Sequence, residues 1–160
     1  MTLALSSAIA AALIAATAVT SARADLRPRP GWEVFPTAKS YDALLADVKE
    51  ATQDSPLAIV TEAGPTEAAA KRGVTIPGNR VIGVFNNDLA VRVLELSEAA
   101  MIEAPMRLYV TENDDGTATL AYETPSIVLT PYVEEGGTGL VAIGAELDGL
   151  FAEIAGRSVK

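Results

Sequence analysis

The sequence predicts an α+β domain, with a partly antiparallel sheet that carries a β-hairpin and is backed by about four helices. Three observations lead there. Two alternating stretches near 106–112 and 117–123 flank Asn113, Asp114, Asp115 and Gly116, a strong hairpin signal that excludes an all-parallel, doubly wound sheet. Stretches with apolar residues at helical spacing alternate with short apolar runs of strand length. The composition, 49% hydrophobic and 21% charged, suits a chain that buries one core by packing alone.

Residues 1–24 read as an export signal: an apolar stretch rich in alanine, with no acidic residue, ends in Ala22, Arg23 and Ala24, the small-x-small pattern a signal peptidase accepts. Cleavage there starts the mature chain at Asp25. It removes one positive charge from the formal −9, giving −10 over 136 residues. The competing reading is an uncleaved anchor, which the many alanines and the Ser and Thr residues make weakly hydrophobic. The expected location is therefore periplasmic or secreted, with no stable membrane insertion after cleavage. Residues 25–30 follow as a proline-rich tether without periodicity, expected to be loosely ordered, and 31–156 form one domain.

Within the domain, residues 32–35 alternate as a first strand. Ser40 caps a helix whose Tyr41, Leu44, Leu45 and Val48 share one face. Residues 57–61 are apolar enough for an interior strand. Gly64 and Pro65 then open a short helix that stops before Gly73. A third strand over 80–85 contains Gly83, which costs it strand propensity. A helix over about 89–100 ends before Pro105. For the hairpin, a three-residue loop of Asp114, Asp115 and Gly116 pairs Val110 with Leu120 and Leu108 with Tyr122 on one face. The other face then pairs Thr111 with Thr119 and Arg107 with Glu123; a two-residue loop would mix apolar and polar residues on both faces. A glycine-rich loop, 136–139, leads into a last helix over 140–155.

The chain contains neither cysteine nor histidine. That removes disulfides, thiol nucleophiles, imidazole bases and the usual soft-metal ligands, so no metal and no cofactor is expected. The acidic balance, 21 Asp and Glu against 12 Lys and Arg, argues against a nucleic-acid partner.

The candidate ligand site is the rim formed by Glu62, Asn86, Asn87 and Asp88, provided that the second and third strands are parallel neighbours and end together. The plainer reading, preferred here, is that Asn87 or Asp88 caps the following helix and Glu62 is solvated. The acidic hairpin tip lacks calcium-loop spacing, and the glycine loop lacks the Lys and Ser or Thr of a phosphate-binding loop. No residue stands in a nucleophile or catalytic-pair context, so none is named as catalytic.

Several short motifs occur in a familiar order. They are Val60, Thr61 and Glu62; Gly73 with Ile76 and Pro77; Val84 through Asp88; Ile102 through Pro105; Glu112 through Gly116; and Tyr122 through Pro125. Together they resemble the DUF302 family, a domain of unknown function. The resemblance implies a small bacterial α+β domain with an antiparallel sheet backed by helices, self-association as a homodimer, and no established reaction. Relatives typically carry an Asp-His pair where this chain has Thr61 and Glu62, and a Phe-Gly-Asn-Pro motif where it has Phe85, Asn86, Asn87 and Asp88. The expected function is a non-enzymatic binding or accessory module for a small-molecule ligand. Its rival is a hydrolase or isomerase using Glu62 and Asp88 as acid and base.

Overall fold

The computed structural model describes residues 26–160; the leader expected over 1–24 and Asp25, the expected first residue after it, lie outside the described residues. Five strands form one sheet in the order β1-β5-β4-β3-β2, with every neighbouring pair antiparallel. They span β1 (Trp32–Pro36), β2 (Ala58–Ala63), β3 (Asn79–Phe85), β4 (Met106–Glu112) and β5 (Ala118–Glu123). The helices are α1 (Tyr41–Gln53), α2 (Thr66–Ala70), α3 (Asn87–Leu96), α4 (Pro125–Leu129) and α5 (Val133–Ser158), with 3-10 turns over Ala99–Glu103 and Thr130–Tyr132.

The hairpin has the register that the alternation predicts. Val110 aligns with Leu120 and Thr111 with Thr119, and the Asn113 amide donates to the Thr117 carbonyl at 2.8 Å, closing a loop of three residues. Gly116 takes φ +81 there, a conformation that a side chain would strain. Leu108, Val110, Leu120 and Tyr122 consequently share the face turned to the helices, and all four are buried. They meet Leu44 and Val48 of α1 and Leu140, Ile143, Phe151 and Ile154 of α5 in one core. The Tyr122 ring sits edge-on to Phe151 at 5.2 Å and stacks on Phe35 at 6.0 Å. Burial, reinforced by Glu33 and Asp148, pushes its phenol up to about 12.

Four expectations need correction. β2 is not interior but the exposed edge of the sheet, so its apolar run reflects one face packed by Ile59 and another left to solvent, where Val60 is 50% exposed. The helix expected over 89–100 stops at Leu96: Ser97 is extended at φ −155, its buried hydroxyl accepts from the Ala100 amide, and the chain continues as the 3-10 turn. The glycine-rich loop is instead part of α5, which begins at Val133 and kinks at Gly137, where φ is +57 and ψ −150. Finally, α4 begins at Pro125, a residue suited to a first helical turn, although its five residues are too few for periodicity to reveal.

Gly83 is explained by Thr61, its partner on β2, and by Pro105, which both crowd it. A Cβ there would lie 2.1 Å from the Thr61 hydroxyl and 2.9 Å from the Pro105 ring. The lost strand propensity is thus the cost of close approach.

Candidate functional site

The rim of Glu62, Asn86, Asn87 and Asp88 required β2 and β3 to run parallel. They run antiparallel: Glu62 aligns with Ile82, while Phe85, next to Asn86, aligns with Ala58 at the other end of β2. Glu62 and Asn86 are therefore separated by four residues along the ladder, about 13 Å at the rise of a strand. The Glu62 carboxylate instead pairs with Lys49 of α1 at 2.7 Å. Asn86 is the helix cap. Its side-chain oxygen accepts from the Leu89 amide at 2.9 Å, and its nitrogen donates to the Pro56 carbonyl at 2.8 Å, tying the start of α3 to the chain entering β2. Asn87 and Asp88 are exposed in the first turn of α3. The four residues do not converge on one ligand, and Glu62 and Asp88 are not an acid-base pair. Beside Asn86 lies a small apolar cleft, about 50 Å³, walled by Phe85, Leu89, Met101, Met106 and Phe151.

Convergence occurs elsewhere, on the face of the sheet that carries no helix. Strand alternation and register arrange that face in rows. The first row contains Trp32 beside Glu123, with Arg107 beside Gly83. The second contains Val34 beside Ala121, Ala121 beside Tyr109, and Tyr109 beside Val81. The third contains Pro36, Thr119, Thr111 and Asn79.

The tether 26–30 crosses this face. Leu26 is half-buried and lies between two depressions, one shared with Asn79, Tyr109 and Thr111, the other with Pro36, Thr37 and Thr119. Farther along, the Arg29 guanidinium lies 5.0 Å over the Trp32 ring, a cation-π contact. This segment has no helix or strand, and its ends rest against the sheet. On the β3 and β4 side it leaves a groove of about 520 Å³ bordered by Trp32, Val81, Tyr109, Asn79, Arg107 and Glu123, with Val128 of α4 at one end.

The groove is aromatic and charged. Asn79 donates its side-chain N-H to the Tyr109 hydroxyl, fixing that ring. Arg107 is exposed and Glu123 half-buried, and neither forms a side-chain ion pair or hydrogen bond with a described residue. The carboxyls displaced from their ordinary range lie outside the groove, and both move down. Glu67 is lowered by its own backbone N-H and then by Arg80, and Asp115 by the Thr117 hydroxyl and amide. No group of three or more acidic side chains suited to a metal ion occurs among the described residues, nor any helix long and apolar enough to cross a membrane. The sequence does not single out the groove, because Trp32 and Glu123 meet only through pairing between distant parts of the chain. Its one sequence signal was the hairpin register, which already set Arg107 across from Glu123 on the face away from the core.

Fold and site together define a single-sheet α+β domain, helices on one face and an open, mixed aromatic and charged face on the other. The family model described as "Domain of unknown function DUF302" matches residues 34–154, and the chain belongs to that family. A solved relative, an uncharacterized conserved DUF302 protein from Bacillus stearothermophilus, shares the fold at a TM-score of 0.69 and 16% identity, over 81% of this chain and 99% of that one. No curated protein matches the sequence.

Proposed function

We propose that the protein is an exported, non-enzymatic binding module whose binding surface is the helix-free face of the sheet. The observation that carries this reading is the groove on that face, where two oppositely charged side chains, without partners among the described residues, border the same space as Trp32 and Tyr109. Charges held next to rigid aromatic surface favour recognition of a ligand that is polar at one end and apolar at the other. Nothing comparable supports catalysis, since Glu62 and Asp88 lie apart and the groove contains a single carboxylate. The leader supports export.

The test is a fragment screen by amide chemical-shift perturbation on the isotopically labelled protein. Shifts should concentrate at Trp32, Val81, Arg107, Tyr109 and Glu123. Perturbations confined to the small cleft beside Asn86, or none from a chemically broad library, would refute the assignment of the surface.

A further inference from the structure

Resting on that reading, the two charges of the groove, which pair with no described residue, narrow the class of ligand. Glu123 aligns with Trp32 on one side, and Arg107, two residues before Tyr109 on β4, borders the same groove. A guanidinium and a carboxylate thus both border the groove, while its floor of Tyr109 and Val81 is largely apolar.

A ligand carrying only an anionic group would find the arginine but bring its charge next to Glu123, on a chain whose formal charge is already −9. A ligand carrying only a cation would meet Arg107 in the same way. A zwitterion with both charges on one carbon satisfies both side chains, and planar guanidinium suits a carboxylate bidentately. Asn79, whose amide is spent on Tyr109, holds the phenol ring in place. The groove's volume, about 520 Å³, admits a small molecule of this kind with its side chain lying along the floor.

We propose that the groove binds an apolar or aromatic α-amino acid, its carboxylate on Arg107, its ammonium on Glu123 and its side chain against Tyr109 and Val81. Trp32 is the only tryptophan in the chain, so its fluorescence reports on this site alone.

The full chain should be titrated with L-phenylalanine and L-leucine, and in parallel with 3-phenylpropionate and phenethylamine, which each lack one charge. Saturable change in Trp32 emission is expected for the amino acids, with each single-charge analogue weaker by roughly tenfold or more. Arg107→Gln and Glu123→Gln should each weaken phenylalanine by a similar factor; both side chains stand clear of the core, and circular dichroism checks that the variants are folded. Equal binding of phenylpropionate and phenylalanine, with Glu123→Gln harmless, would overturn the zwitterion while leaving the groove as a binding surface. No saturable change with either amino acid would also overturn it. The fragment screen then decides separately whether the face binds anything else.

Discussion

Asn86 carries out two structural tasks with one amide. Its oxygen satisfies the Leu89 N-H, which would otherwise lack a partner at the start of α3, and its nitrogen holds the Pro56 carbonyl. Asn87, one residue on, is exposed and caps nothing. Asn86→Ala should therefore cost about 0.5 to 2 kcal/mol in urea unfolding, whereas Asn87→Ala should change stability little. Equal costs at both positions would show that the cap had been assigned to the wrong residue. The sequence places the cap at Asn87 or Asp88, and the structure places it at Asn86, because all three are acceptable cap residues. Only backbone geometry, extended at Asn86 with φ −140 and helical from Asn87, separates them.

At the level of the elements, the hairpin joins the most legible local signal to the centre of the core. Leu120 is fully buried between β1 and β4 beneath the helices, so Leu120→Ala should cost about 2 to 5 kcal/mol, measured by denaturant unfolding. A cost below about 1 kcal/mol would mean that this face is not core. The tip has its own acid dependence. Asp115 accepts from the Thr117 hydroxyl at 2.6 Å and its amide at 2.9 Å, and these bonds hold its carboxyl below the ordinary value of 3.8. A depressed folded pKa means that the contribution is complete above the unfolded value and is lost as pH falls through the folded one. The Thr117 amide resonance should thus hold steady down to about pH 4 and move only below it, and Asp115→Asn should abolish the acid transition. Movement centred above pH 4 would contradict the bonds.

For the molecule as a whole, the leader and the open sheet make separate predictions. Protein recovered from the native host should have the intact mass of a chain starting at Asp25, 136 residues long; a full-length cytosolic chain would refute export. Self-association, which the family resemblance implies, has a ready surface in β2, an unpaired edge whose Val60 is half exposed. Light scattering at micromolar concentration should return twice the monomer mass, and Val60→Pro, at the irregularity between Ile59 and Thr61 on that edge, should return the single mass. A monomer at every concentration would refute it.

The α+β class, the five strands, the hairpin register and the helices α1 and α2 follow from periodicity, capping residues and turn chemistry, because those signals act within a dozen residues. Leu108, Val110, Leu120 and Tyr122 could be assigned to the core in advance for the same reason, since a period of two leaves one acceptable register. Strand direction and order lie beyond such signals. Whether β2 runs with or against β3, and whether it is central or at the edge, depends on which long-range pairings bury most surface for the whole chain. That choice separated Glu62 from Asn86 and broke up the expected rim. It also brought Trp32 beside Glu123, 91 positions away, and put Arg107 on the same groove. The groove therefore exists only in the folded chain, because the residues that form it are neighbours across strands and strangers along the sequence.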